Sequence, residues 1–292
     1  MTSSLKAVSS KWIKTRIMIR NVKLRQYVPT THPFDRSRLS SMLAQHNMLY
    51  VKPDIGSLGI GVMRVEKRGG TYRYQSGVNI YRFPTFERMY QSLQRRCGTK
   101  RYLIQKGIYV LTHEGSPYDF RVMVQRAPSG KWVCTGTAAR VAHPQKAVTN
   151  GSQGGTIYSP YDLLEPRFGV DATSILMFKM EKIAYWTSAQ LSRTYPGMNE
   201  LGIDIAVDQG LKPWILEVNT RPDPCPFTKL EDKSIIRRIV RLGRANGRKY
   251  DLTCSKAKKA PKGRLSTTSV NQPFQNVEPP IEPFSEPPSE NK

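Results

Sequence analysis

The chain is poor in acidic residues. Asp and Glu together number 22, against 46 Lys and Arg, which leaves a formal charge of +24 over 292 residues. This excludes an acidic solvating protein and points to an anionic partner such as a nucleotide, a nucleic acid, an acidic polymer or an anionic surface. Cysteine is scarce as well. Cys97, Cys134, Cys225 and Cys254 show no paired spacing. That argues against a disulfide framework or a zinc site and makes a reducing cytosol the expected setting. The four histidines (His32, His46, His113, His143) have no metal-ligand spacing. No apolar run reaches the roughly 18 residues of a membrane span. The basic N-terminus lacks the apolar stretch of a secretory signal.

What is present is a 38% hydrophobic content, enough for one large domain or two modest ones. The charge is uneven. Residues 1–30 carry seven Lys/Arg and no acid, and residues 231–264 carry twelve against three acids. The first segment alternates weakly between basic and apolar positions, as an added strand or a mobile basic arm would. The region from 246 to 292 turns Lys-rich and then Pro/Glu-rich with almost no core formers, the composition of a disordered tail.

Between these ends the elements alternate. Residues 31–35 read as a helix start, followed by a short helix through Leu39, Met42 and Leu43. Met48–Lys52 reads as a strand. A second strand follows over 61–66, then a Gly69-Gly70 turn into 72–75, a helix over 84–96 and a strand over 102–106. Residues 118–126 and 131–141 alternate well and are joined by Ala127-Pro128-Ser129-Gly130, a hairpin. The longest helix is expected over 172–191, and a basic terminal helix over 227–242.

Strongest in chemistry is the stretch Gly202-Ile203-Asp204-Ile205, a turn, then Trp214-Ile215-Leu216-Glu217-Val218-Asn219. Period-two alternation puts Glu217 and Asn219 on one face, with Leu216 and Val218 toward the core. A symmetric hairpin would set Asp204 opposite Glu217. Three oxygen-bearing side chains then converge, a donor set suited to Mg²⁺ completed by substrate phosphates. Upstream, Lys52 precedes the loop Asp54-Ile55-Gly56-Ser57-Leu58-Gly59-Ile60-Gly61. Glycine permits the close backbone approach that lets amides face a phosphate. The loop lacks the Gly-Lys-Ser/Thr ending of a P-loop, and by itself a Gly-rich hairpin turn is an equal reading. Asp119 and Arg121 share a strand face, and the hairpin brings Arg140 close. Taken singly, these are ordinary surface arginines. On the same sheet as the carboxylates, they could clamp a phosphoryl group. The polar loop around Asn150 is either a surface loop or a cover over an anionic substrate.

In this order the motifs resemble the ATP-grasp superfamily, and in particular the YheC/YheD-type endospore coat-associated proteins, which are similar to ribosomal-protein glutamate ligases. The resemblance runs from about Thr31 to Gly243. It implies an α+β ATP-grasp fold, in which two α+β subdomains with antiparallel sheets (31–108 and 109–245) clamp ATP. It assigns Lys52, Gly56, Ser57, Gly59 and Gly61 to the phosphates. Gln105, Lys106 and Ile108 go to the adenine and Asp119 to the ribose side. Arg121, Arg140 and Asn150 go to the reacting phosphate. Asp204, Glu217 and Asn219 would hold two Mg²⁺ ions, or Mn²⁺ in their place. The activity implied is an ATP- and Mg-dependent carboxylate–amine ligase working through an acyl phosphate, cytoplasmic and spore-associated. Its partners would be ATP, an acidic or carboxylate substrate and an amine acceptor. Two features depart from the family. Val148 stands where the ribosomal-protein ligases carry a basic residue, and 1–30 is too short for the α/β domain that often precedes this fold. They motivate an alternative, a catalytically silent nucleotide-binding coat protein. The charge motivates another, a basic nucleic-acid binder making non-specific polyanion contacts through its ends.

Overall fold

A computed structural model describes residues 8–142, 155–254 and 257–261. The chain divides into a unit ending at Ala260 and a second unit beginning at Pro261; all that follows concerns the first.

One sheet is antiparallel throughout. Its strands are β1 (Thr31–Pro33), β2 (Met48–Pro53), β3 (Met63–Arg68), β4 (Thr71–Ser76), β5 (Asn79–Phe83) and β6 (Tyr102–Lys106), in the order β1-β6-β2-β3-β4-β5. Two helices cover it. α3 (Arg36–His46) starts where the Asp35 carboxylate accepts from the Arg38 amide, and α4 (Phe86–Cys97) starts on the Thr85 hydroxyl. Leu39, Met42 and Leu43 of α3 and Met89, Leu93 and Cys97 of α4 fall at helical spacing, and all enter one apolar core with Leu49, Val51, Val65 and Ile104. The expected helix start at 31–35 is corrected: Thr31–Pro33 pairs with β6, and Asp35 is the cap that delays the helix to Arg36. The strand Asn79–Phe83 is an addition to the expected elements.

The second sheet has the order β12-β11-β8-β9-β10-β13, with β7 (Thr112–His113) paired to β8 (Ser116–Arg126). The other strands are β9 (Trp132–Val141), β10 (Thr156–Tyr158), β11 (Glu200–Val207), β12 (Pro213–Asn219) and β13 (Lys258–Lys259), and only β10 and β13 run parallel. Helix α5 (Pro160–Thr194) covers one face and bends at Gly169, whose φ of 79° breaks the helix. It begins earlier than the expected 172 because Pro160 suits a first turn. Helix α6 (Lys233–Ala245) covers the other face through Ile236 and Ile239. The part of the expected basic helix before it is a short 3-10 turn, Cys225–Lys229.

Three expectations about the chain ends and cysteines are overturned. Residues 10–28 are neither a strand nor an arm. They form α1 (Lys11–Ile19), capped by Ser10, and α2 (Val22–Arg25). Ile17, Met18, Leu24 and Val28 are buried in the core beneath α5, a helical spacing hidden by the intervening charges. Part of the expected tail is ordered. Arg248 pairs with Glu200 at 2.5 Å, Tyr250 also bonds Glu200, Ala257 is buried, and β13 extends the sheet. Finally, Cys225 and Cys254 form a disulfide; their 29-residue separation gave no local signature. The support that unpaired cysteines lent to a reducing setting falls with it. Among the described residues, no helix is long and apolar enough to cross a membrane.

Candidate active site

The second sheet carries a polar row across its strands. Asp119 of β8 lies opposite Arg140 of β9, Arg121 of β8 opposite Asp204 of β11, and Asp204 opposite Glu217 of β12. Cross-strand pairs are close enough to interact, and here they do. Arg140 donates to both oxygens of Asp119 at 2.7 Å and reaches Asp204 at 3.0 Å. Arg121 forks onto Asp204, and Asn219 lies 3.4 Å from the same carboxylate. The Asp204–Glu217 pairing arises differently from the symmetric hairpin. The register shifts between Asp204 and Ile205, so that Leu216 is an extra residue. Such bulges re-aim side chains. This one brings Glu217 opposite Asp204 and leaves Leu216 only partly buried, while Ile215 and Val218 supply the core.

The first sheet meets this row through β2 and β6. The Lys52 ammonium donates to Gln105 Oε1 at 2.7 Å and to the bulged Leu216 carbonyl at 3.1 Å. Gln105 in turn donates to Thr31 at 3.2 Å. Beyond β2 lies the Gly-rich loop. Gly59 and Gly61 take φ of 71° and 76°, and a Cβ on Gly61 would come within 2.9 Å of the Tyr102 hydroxyl, so glycine is required there on both counts. Ile55, Leu58 and Ile60 of this loop are exposed. The loop's root, Asp54, is buried and accepts from the Ser10 hydroxyl at 2.9 and 3.0 Å and from the Trp12 amide at 2.8 Å.

Two residues outside the expected set belong to the cluster. Lys11 donates to the Gly56 carbonyl at 2.7 Å and lies 3.3 Å from Glu217. Lys14 donates to the Val218 carbonyl at 2.6 Å. The signal that could have found them is two lysines one helical turn apart, after a Ser cap and before Ile17 and Met18.

Burial pulls the Lys52 and Lys14 ammoniums down to about 8, and Glu217 partly offsets it for each. Burial alone would raise Asp204, but Arg121 and Arg140 override it and hold the carboxyl below its ordinary range. Arg140 is raised despite its burial, by Asp119 and Asp204.

Not every expected residue joins the cluster. The Lys106 ammonium sits 5.3 Å from the centre of the Trp214 ring, and Ile108 is buried in the linker after β6. Asp119 does join it, through its two bonds from Arg140. Asn150, Val148 and the surrounding polar loop lie outside the described residues. Just past Asn219, a cavity of about 170 Å³ is lined by Glu200, Thr220, Arg221, Asn246 and Arg248, among others. Pro222 packs over Gly202 beside Arg121; a Cβ there would come within 2.7 Å of Pro222.

Among the described residues, no group of three or more His, Cys, Asp or Glu could hold a metal by itself. Asp204 is committed to two arginines, while Glu217 keeps 29% of its side chain exposed and pairs with Lys11. Glu217 and Asn219, with Asp204 behind them, are hard oxygen donors that fit Mg²⁺ only if phosphate oxygens complete the shell, which is how that ion is usually held.

A family model described as YheC/D like ATP-grasp matches residues 4–243. The chain belongs to this family. The YheC/D-like match includes α1, which lies outside the stretch first noted from the motifs. Among curated relatives, the endospore coat-associated protein YheD of Bacillus subtilis (strain 168) is 26% identical over 215 residues, covering 68% of this chain and 47% of that protein. YheC of the same strain is 23% identical over 222 residues, covering 74% and 61%. This YheC/D-like chain thus spans between about half and three fifths of the length of those relatives. Among solved structures, the ADP complex of the N5-carboxyaminoimidazole ribonucleotide synthetase PurK aligns with a TM-score of 0.46 at 10% identity, over 80% of this chain and 50% of that one. The Aspergillus clavatus N5-carboxyaminoimidazole synthase, in complex with ADP and 5-aminoimidazole ribonucleotide, aligns with a TM-score of 0.46 at 11% identity, over 74% and 45%. The two mixed helix-and-strand layers with antiparallel sheets are those of an α+β ATP-grasp fold.

Proposed function

We propose that the chain is an ATP- and Mg-dependent carboxylate–amine ligase. The observation that carries this reading is the meeting of the two sheets at Lys52. Its ammonium, on the strand that runs into the glycine-rich loop, touches the backbone of the strand that presents Glu217 and Asn219. A triphosphate is the ligand that uses a loop of amides, a buried cation and a half-satisfied carboxylate together. In this reading the Gly56–Gly61 loop with Ser57, and Lys52, bind the phosphates. Gln105, Lys106 and Ile108 border the base. Glu217 and Asn219, with Asp204, hold the Mg²⁺, which when bound neutralises phosphate charge. Asp119, assigned to the ribose side, also orients Arg140. Arg121 and Arg140 face the reacting phosphate, a role that the family resemblance also gives Asn150. The cavity beyond Asn219, where Arg221 stands beside the Arg248–Glu200 pair, is the proposed seat of an acidic substrate.

The reaction proposed is attack of a substrate carboxylate oxygen on the γ-phosphorus with departure of ADP. An amine then attacks the acyl carbon, phosphate leaves, and the nitrogen gives up its proton to form an amide. The protein's share is position and charge. A spore-associated setting is drawn from the names of the relatives, and a boundary near 108 between two ATP-clamping halves from the family pattern. A purified full chain with Mg-ATP and a panel of amino acids and peptides should release ADP and form an amide. Glu217→Ala should abolish turnover; full turnover in that variant refutes the assignment.

One observation favours a second reading, a nucleotide-binding coat protein without catalysis. Both arginines meant for the phosphoryl group are tied to buried carboxylates. Nucleotide binding with no product across the panel selects it.

A further inference from the structure

Helix α1 brings a lysine into the cluster that the motifs never indicated. The Lys11 ammonium lies between the Gly56 carbonyl, 2.7 Å away, and Glu217 Oε1, 3.3 Å away, with its side chain only 10% exposed. It is held there at both ends of its helix. On the loop side, the Lys11 amide donates to the Asp54 carbonyl at 3.0 Å, and Ser10 and Trp12 donate to the Asp54 carboxylate. On the sheet side, Lys14 grips Val218, and Ile17 and Met18 are packed into the core beneath α5. A long flexible lysine would not be fixed in this way by surface chance. Ordering it costs rotamer entropy that an exposed pair does not repay.

The position of the ammonium decides its role. It occupies the space between a loop whose glycines suit phosphate contact and the carboxylate expected to hold the counter-cation of those phosphates. An anion bound between loop and carboxylate meets Lys11 at contact distance.

We propose that Lys11 is a phosphate ligand of the nucleotide site, contributed by the N-terminal helix in addition to Lys52. This rests on the nucleotide reading above. On binding, the Lys11 ammonium exchanges its Glu217 partner for a phosphate oxygen, and Glu217 is left to the divalent cation. A lysine is a point-charge donor with three hydrogens, so its contribution depends on phosphate and not on base or sugar.

The test is titration calorimetry of the full-length chain in Mg²⁺ with adenosine, AMP, ADP and a non-hydrolysable ATP analogue. Wild type is compared with Lys11→Met and with Lys11→Gln, which keeps a neutral donor for the Gly56 carbonyl should the first variant fail to fold. The expected result is affinity for the ATP analogue and ADP lower by about tenfold or more, with adenosine within about twofold. Lys11→Arg should restore most of the loss. Equal weakening for every ligand, including adenosine, would mean that Lys11 only staples the fold, and overturns the proposal. Unchanged or tighter binding of the ATP analogue would make Lys11 a bystander or a plug, and overturns it too. If wild type binds no adenine nucleotide, the nucleotide reading itself has failed; if it binds and the variants match it, only the role of Lys11 has.

Discussion

The buried pairing of Asp119, Arg140, Asp204 and Arg121 can be measured as an energy. Arg140 is the perturbation of choice, because its side chain is 4% exposed and serves two carboxylates. Arg140→Met removes two hydrogen bonds to Asp119 at 2.7 Å and takes the guanidinium charge away from that carboxylate, itself buried, in a low-dielectric setting. Breaking one side of a buried ion pair costs about 3–5 kcal/mol, mostly as the penalty on the charge left behind. In a unit of this size that lowers Tm by about 6–20 °C. Asp119→Leu should cost less, since the guanidinium keeps Asp204 at 3.0 Å. The double variant leaves no orphan at that pair, so its loss should fall short of the sum of the singles by about 2 kcal/mol. Urea denaturation followed by circular dichroism gives all four values, and an unchanged m confirms that the unfolding reaction is the same. Additivity within about 0.5 kcal/mol would refute the reasoning. The arginine would then be energetically independent of Asp119 and free to serve a ligand alone.

Two further outcomes concern stability. The Cys225–Cys254 bond closes a loop of 29 residues, which in the chain-entropy account is worth about 3–4 kcal/mol. Reductant should therefore lower the Tm of wild type and leave Cys225→Ser unmoved, and a wild-type Tm indifferent to reductant counts against the bond. Glu66 is buried among Arg64, Arg68 and Arg73. Burial alone would raise its carboxyl, but the three arginines hold it below the ordinary carboxylate range. A carboxyl depressed in the folded state stabilises fully above its unfolded value and loses that contribution as pH falls through the folded one. Wild-type stability should thus decline with acidification below about pH 4.5, and Glu66→Gln should flatten that stretch of a urea-midpoint profile. Equal slopes in the two proteins would exclude Glu66 as the source.

The elements legible in the sequence were those whose pattern is local. Alternation and a turn sequence located β8, β9, β11 and β12, and helical spacing located α3 and α4. The pairing of Asp204 with Glu217 was also anticipated, though for an incomplete reason. A symmetric hairpin does not produce it; a bulge at Leu216 does, and no period-two pattern displays an extra residue. What stayed hidden depends on distant partners. Lys14 is a buried cation in a helix that reads as polar, and the Val218 carbonyl, 204 positions away, together with the Glu217 carboxylate, makes its burial tolerable. The same holds for Tyr250, whose hydroxyl finds Glu200 and Gln125 from within a segment that reads as a solvated tail. The expected site residues were recognised by type, but the partners that occupy them were not. Arg121 and Arg140 read as free cations, whereas both are already matched with carboxylates.

The bulge and the two lysines have a consequence for how this molecule meets its own copies. β12 is the last strand of its sheet, and such a strand ordinarily offers bare carbonyls and amides for another chain to zip onto. Here the Leu216 and Val218 carbonyls face the ammoniums of Lys52 and Lys14, and the Ile215 amide is bonded to Tyr27 at 2.7 Å. Strand addition is therefore blocked along the segment that displays Glu217 and Asn219. The N-terminal helices act as a sheath over a self-adhesive border, and a chain stripped of them would expose that border to its neighbours.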